Sequence, residues 1–113
     1  VYDGRYRYIV NLTPEATFQN VETKSPLFKE WKRLAETDSH AKAMTTKYQH
    51  RPAIELYDVK NDPYCMKNLA EDAKQASTIS RLDKELKRWM KDCGDEGQPT
   101  EMRAFEHMPG KRK

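Results

Sequence analysis

Hydrophobic and polar residues alternate in two short segments of the chain, at residues 5–10 and 54–59. Alternation with a period of two predicts β-strands. One face is expected to carry Tyr6, Tyr8 and Val10 in the first strand and Ile54, Leu56 and Asp58 in the second. The second strand should stop at Asn61-Asp62-Pro63, because proline has no N–H to offer a sheet.

Two longer segments place apolar residues at every third or fourth position, which predicts helices with one packed face. The first begins at Ser25-Pro26, a serine N-cap followed by proline. Its helical character extends to about Tyr48, either as one helix or with a second helix after Asp38. The other helix leads from Asp72 to Gly94, a suitable C-cap. Its apolar stripe comprises Ile79, Leu82, Leu86, Trp89, Met90 and Cys93.

The order of elements is strand, loop, helices, strand, helix and tail. Two neighbouring strands with helices on one face form a small α+β lobe. We expect residues 1–113 to be a single subdomain in which residues 95–113 are a linker and a tail. Trp89 should lie against the sheet that carries Tyr8 and Leu56, because it shares the phase of the apolar stripe.

Composition favours a lobe that depends on a larger neighbour. Hydrophobic residues make up 36% of the chain and charged residues 35%, with a mean hydropathy of −1.07, which is poor in apolar residues for a free-standing domain. Asp3-Gly4 is a hairpin signal, yet only Val1 and Tyr2 precede it. We therefore interpret the chain as a fragment and expect it to self-associate through an exposed strand edge and an apolar patch.

The charge balance is mild. A net charge of +3, from 21 basic and 18 acidic residues, neither requires nor excludes a polyanionic partner. The basic end at residues 111–113 is too short to argue for nucleic acid, so no nucleic-acid partner is expected. No apolar run approaches the roughly 18 residues of a membrane span, so no membrane-spanning segment is expected.

The stretch from residue 51 to 70 resembles a signature of type I sulfatases, the formylglycine-dependent sulfuric ester hydrolases. The matching residues are Glu-Leu-Tyr-Asp at 55–58, Asn-Asp-Pro at 61–63 and Asn-Leu-Ala at 68–70. His50-Arg51-Pro52, together with Trp31, Ala35-Glu36-Thr37-Asp38 and Ala41, is similar to the sulfamidase (heparan N-sulfatase-like) branch. The likeness extends from about residue 6 to about residue 94.

This resemblance implies a C-terminal sulfatase subdomain, in which a small antiparallel sheet packs against a long C-terminal amphipathic helix beside one or two further helices. It implies a non-catalytic lobe of a sulfuric ester or sulfamate hydrolase that acts on sulfated, glycosaminoglycan-like glycans. The lobe would brace the N-terminal catalytic domain of the same parent chain and help wall the substrate cleft. The parent would be exported, to a periplasm, a lysosome or the medium.

The chain lacks the family's chemical groups. The formylglycine arises from a Cys/Ser-x-Pro-x-Arg motif, and neither Cys65 nor Cys93 stands in one. The family's calcium ligands belong to the N-terminal domain and cannot be mapped onto this chain. We therefore expect no cofactor in the fragment and no activity from it alone, whereas the parent would carry calcium and formylglycine. Whether Cys65 and Cys93 pair stays open.

His50 and Arg51 are the candidate substrate-binding residues. The planar guanidinium group suits sulfate or carboxylate oxygens, although the sequence favours a structural pairing of Arg51 with a nearby acid. A second hypothesis is an independent polyanion- or carbohydrate-binding module that uses the strand Arg5-Tyr6-Arg7-Tyr8. Asn11-Leu12-Thr13 also matches an N-glycosylation triplet.

Overall fold

A computed structural model describes residues 1–107, and the basic end at 111–113 lies outside them. The elements in chain order are β1 (Tyr6–Val10), α1 (Pro26–Leu34), α2 (Ser39–Gln49), β2 (Ile54–Asp58), α3 (Ala76–Cys93) and α4 (Gln98–Met102), with 3-10 turns at Glu22–Lys24, Ala73–Gln75 and Ala104–His107. The fold is α+β, as predicted. Two compact units are present: residues 13–52, and residues 1–12 together with the chain from 53 onward. That residues 1–113 act as one subdomain stays a prediction.

In the unit that contains the sheet, β1 and β2 pair antiparallel with Tyr8 opposite Leu56. These two residues and Leu82 of α3 are fully buried and form the core. Ile79 and Leu86 of α3 pack against it. The strand faces and the packing of the long helix on the sheet are therefore as the hydrophobic pattern predicts.

The Asp3-Gly4 turn forms as its sequence indicates. Tyr2 makes an antiparallel bridge to Arg7, and Gly4 adopts φ +97°, a conformation that glycine accepts readily. Asp3 Oδ1 accepts hydrogen bonds from the backbone N–H groups of Arg5 and Tyr6 at 3.0 and 2.7 Å. The short arm before the turn covers part of the outer edge of β1.

The outer edge of β2 is covered by the signature residues that follow it. Asn68 donates through Nδ2 to the carbonyl of Ile54 at 3.1 Å and accepts through Oδ1 from the N–H of Leu56 at 2.9 Å. Leu69 N–H donates to the Leu56 carbonyl at 2.8 Å. The backbone groups at this edge therefore find partners within the chain, and the predicted self-association stays a prediction.

The expected burial of Trp89 is wrong, since the residue is 61% exposed. Trp89 has the phase of the core residues, but it lies two turns beyond Leu82 along α3. A helix of 18 residues is about 27 Å long, whereas a five-residue strand spans about 17 Å. The end of α3 therefore extends past the sheet, and helical phase alone could not reveal this.

The unit of residues 13–52 is a helical hairpin with two side-chain caps. Ser25 Oγ accepts from the N–H of Phe28 at 3.1 Å, as the sequence predicts for this N-cap. Asp38 Oδ1 accepts from the N–H of Ala41 at 2.7 Å and begins a separate helix, so the two-helix alternative is correct. Phe28 is buried between the two helices.

Candidate functional site

Arg51 lies over an aromatic ring. Its guanidinium carbon lies 4.3 Å from the centroid of the Phe18 ring, and the residue is exposed. Within residues 13–52, Arg51 forms no ion pair with a carboxylate. The pairing with a nearby acid that the sequence favours is therefore not found within this unit.

The backbone at the end of α2 sets this arrangement. His50 ends the helix in an extended conformation, and its N–H donates to the Thr46 carbonyl at 2.8 Å. The following Arg51 precedes proline, which disfavours a helical backbone there. The N–H of Phe18 donates to the Gln49 carbonyl at 2.8 Å, which fixes the loop that carries the ring to the end of the helix.

A row of aromatic rings continues from this contact. Phe18 meets Tyr48 edge-on at 5.8 Å, Tyr48 meets Phe28 at 5.5 Å, and Phe28 meets Trp31 at 6.4 Å between centroids. We call these four residues the aromatic row. Phe28 is the buried member of the row, whereas Tyr48 is 37% exposed and Trp31 is 50% exposed.

The two polar residues that precede Arg51, Gln49 and His50, differ in their contacts. Gln49 accepts through Oε1 from Lys32 Nζ at 3.1 Å. His50 is exposed, and no hydrogen bond or ring contact of its imidazole occurs within the described residues. Of the two candidate residues, Arg51 therefore has a side-chain contact that positions it, the ring of Phe18, and His50 has none among the described residues.

Sequence reasoning missed Phe18 and Gln49. Phe18 lies in a segment without hydrophobic periodicity, residues 13–24, which carries no signal that it folds back onto the end of α2. The aromatic row was visible only in part, through the spacing of Phe28 and Trp31 on α1.

The first signature acid, Glu55, is buried on the face of β2 opposite the core. It accepts from the Tyr57 hydroxyl at 2.5 Å and from Asn11 Nδ2 at 2.8 Å. Burial, followed by the hydrogen bond to Glu55, raises the pKa of Tyr57. The amide of the glycosylation triplet thus serves as an internal donor, and this cluster is structural.

The second signature acid, Asp58, is also buried. Its Oδ2 accepts from Arg5 Nη2 at 2.7 Å, from Arg5 Nε at 3.2 Å and from Asn61 Nδ2 at 2.9 Å. The Arg5 hydrogen bond lowers the pKa of Asp58 to about 2. An ionised carboxylate that is held in this way is unsuited to general acid–base chemistry near neutral pH.

The strand of the second hypothesis does not present a row of cations and rings. Tyr8 is 2% exposed, and its hydroxyl donates to Asp83 Oδ1 at 3.1 Å. Arg5 is paired with Asp58, and Arg7 Nη1 lies 3.6 Å from Cys65 Sγ. The independent binding module is therefore not favoured. The part of the chain that is described also holds no cluster of three or more His, Cys, Asp or Glu side chains suited to a metal ion.

No family model matches this sequence. Two curated relatives do, both named ulvan-active sulfatase and both from Formosa agariphila. One is 33% identical over 105 residues, which is 89% of this chain and 18% of the relative. The other is 32% identical over 96 residues, which is 84% of this chain and 17% of the relative.

This chain is similar over most of its length to part of two sulfatases. The sulfatase resemblance of the signature segment is thereby confirmed over most of the chain. The chain spans less than a fifth of the length of either ulvan-active relative, which is consistent with a C-terminal sulfatase fragment. Among residues 1–107, no helix is both long enough and apolar enough to cross a membrane.

Proposed function

We propose that this chain is a non-catalytic lobe of a sulfatase that acts on a sulfated polysaccharide. The observation that carries the proposal is the match of most of this chain to less than a fifth of two ulvan-active sulfatases. The chain has no Cys/Ser-x-Pro-x-Arg motif, so the nucleophile must come from elsewhere. The parent's catalytic domain would supply the formylglycine and the calcium ion, while this lobe braces that domain and helps wall the cleft.

An apolar surface on α1 supports a bracing role. Leu27, Trp31 and Leu34 lie one and two turns apart on the helix, and all three are about half exposed. An apolar stripe of this kind marks a surface for packing against another protein domain. The partner we propose for the stripe is the catalytic domain of the same parent chain.

The two roles can be separated by measuring sulfate release. The full-length parent should release sulfate from ulvan, and the 113-residue chain alone should release none with any divalent cation. In the full-length protein, Leu27→Glu and Leu34→Glu should reduce both soluble yield and activity, because they place a charge in the proposed interface. Lys29→Glu, on the polar side of the same helix, is the matched control and should change neither.

Two results would contradict the proposal. The first is turnover by the 113-residue chain that disappears when one of its own residues is replaced. The second is a parent reading frame of about this length whose product binds a polysaccharide without hydrolysing it. The latter result would restore the binding-module hypothesis.

A further inference from the structure

We infer that Arg51, supported by the ring of Phe18, is a contact for the sulfate ester group of a polysaccharide. This inference rests on the proposed function and assigns a ligand to one surface of residues 13–52. It concerns binding only, and it requires no catalytic group in this chain.

The position of Arg51 over the ring is suited to an oxyanion. A guanidinium group carries five N–H donors in one plane, and because Arg51 is exposed these donors are accessible to a ligand. The contact with Phe18 at 4.3 Å also restricts the long side chain before a ligand arrives. Such preorganisation lowers the entropic cost of binding. Two parallel N–H donors match two oxygens of one sulfate.

The charge of Arg51 is available for a ligand. An internal carboxylate would compete with a sulfate group, as Glu30 does at Arg33, where Nη2 and Oε1 are 2.5 Å apart. Arg51 has no such acid within residues 13–52. An exposed arginine without an internal carboxylate partner keeps its hydrogen-bond donors open to an anionic ligand.

A second cation, Lys32 of α1, is hydrogen-bonded to the same end of α2. Lys32 Nζ bonds the side-chain amide of Gln49, a neutral group, and therefore keeps its charge unmatched there. Residues 13–52 contain seven Lys or Arg and five Asp or Glu side chains, so the unit as a whole does not repel an anion. Arg51 would bind the sulfate group directly, and Lys32 would add a longer-range attraction.

The test compares polysaccharide binding by the 113-residue chain and its variants at low ionic strength, by calorimetry with ulvan. Arg51→Ala should weaken binding about 10- to 100-fold, the range expected when a charge-assisted hydrogen bond is lost. Arg51→Lys keeps the charge but loses the planar fork and should recover only part of the affinity. Phe18→Leu keeps an apolar side chain but removes the platform, and should weaken binding without a change of charge.

Arg33→Ala is the matched control, because it removes one exposed arginine of the same unit whose charge is already paired with Glu30. It should leave the affinity within about twofold of that of the unaltered 113-residue chain. Because Arg51→Ala and Arg33→Ala remove the same amount of charge, a difference between them cannot come from net charge alone. Thermal melts of Arg51→Ala, Arg51→Lys and Arg33→Ala should coincide with that of the unaltered 113-residue chain, because both arginine side chains are exposed.

Equal loss of affinity in Arg51→Ala and Arg33→Ala would overturn the site, since it would indicate unspecific charge attraction. Unchanged binding to ulvan from which the sulfate groups have been removed would overturn the assignment to sulfate and indicate a carboxylate. Absence of any binding by the unaltered chain would also overturn it. If the full-length parent releases sulfate while Arg51→Ala has no effect on its KM, the inference fails and the proposed function stands. If no parent activity exists but Arg51 is needed for binding, the proposed function fails and the site stands.

Discussion

Asn68 acts as a substitute for a neighbouring strand at Leu56. The amide oxygen of Asn68 accepts the N–H of Leu56 at 2.9 Å, on the edge of β2 that faces away from β1. A sheet edge normally leaves such groups open to water or to another chain. The Asn-Leu-Ala part of the sulfatase signature is therefore explained by the closing of a sheet edge.

Replacement of Asn68 should destabilise the fold measurably. Its side chain also donates to the Ile54 carbonyl and accepts from the N–H of Ala70 at 3.0 Å. Asn68→Ala removes all three hydrogen bonds and should lower the free energy of unfolding by about 2 kcal/mol. Asn68→Asp retains the two acceptor roles and should lose less. Urea unfolding followed by circular dichroism measures both, and an Ala variant as stable as the parent would contradict this account.

The strands and the long helix could be predicted because their periodicity is local and strong. The alternation around Tyr8 and Leu56 specifies which face is buried, and both residues are found in the core. The role of Asn68 could not be predicted in this way. Its hydrogen bonds depend on the path of the turn after Asp62, and a hydrophobic pattern contains no information about that path.

The two ends of α3 should respond differently to truncation of a large side chain. Leu82 is fully buried between the helix and the sheet, so Leu82→Ala should lower the free energy of unfolding by about 3 kcal/mol. Trp89 is mostly exposed, and Trp89→Ala in the 113-residue chain should change it by less than about 1 kcal/mol.

Denaturant melts of these two variants, measured side by side, decide whether α3 extends past the sheet. A large loss on Trp89→Ala would return that residue to the core, as its helical phase alone predicts. The comparison is sharp because both residues occupy the same angular side of one helix.

Only part of the candidate site could be predicted from the sequence. His50 and Arg51 were identified by chemical type and by the sulfatase resemblance, and the structure gives only Arg51 a supporting ring. Phe18 could not have been assigned to it, since the contact joins a loop without periodicity to a residue far along the chain. Contacts between distant segments depend on tertiary packing, which local propensity does not encode.

Stability should fall in acid because of the Arg5–Asp58 ion pair. The hydrogen bond from Arg5 lowers the pKa of Asp58 from 3.8 to about 2 in the folded chain. A carboxyl group with a lowered pKa contributes stability above the unfolded pKa and loses it as the pH falls through the folded value. The loss should therefore occur between about pH 4 and pH 2. Asp3, whose pKa is lowered to about 2 chiefly by its bond to Arg81, should act in the same window.

Unfolding free energies of Asp58→Asn and Asp3→Asn, measured between pH 2 and pH 7 by urea titration, separate the two contributions. Each variant should be less stable than the parent at neutral pH and should show a shallower decline in acid. A decline as steep as that of the parent in both variants would assign the acid sensitivity to other carboxylates.

Alkaline pH should destabilise the core through Tyr8. Burial, followed by the proximity of Asp83, raises the pKa of Tyr8 to about 12 from an ordinary value of 10.0. The folded state therefore favours the neutral phenol, which donates to Asp83 Oδ1. This contribution is fully present below about pH 10 and is lost as the pH rises from about 10 to about 12, because the unfolded chain releases its proton first.

Tyr8→Phe isolates this effect, because it removes the titrating hydroxyl and keeps the ring in the core. At neutral pH the variant should lose about 1 kcal/mol for the missing hydrogen bond to Asp83. Its stability should then fall less steeply than that of the parent above pH 10, although Tyr57, whose pKa is also raised, still contributes. Tyr57→Phe and the double variant complete the series. Identical alkaline slopes for the parent and Tyr8→Phe, measured by urea unfolding with tyrosinate absorbance as a second readout, would show that the Tyr8 hydroxyl does not titrate differently in the folded and unfolded states.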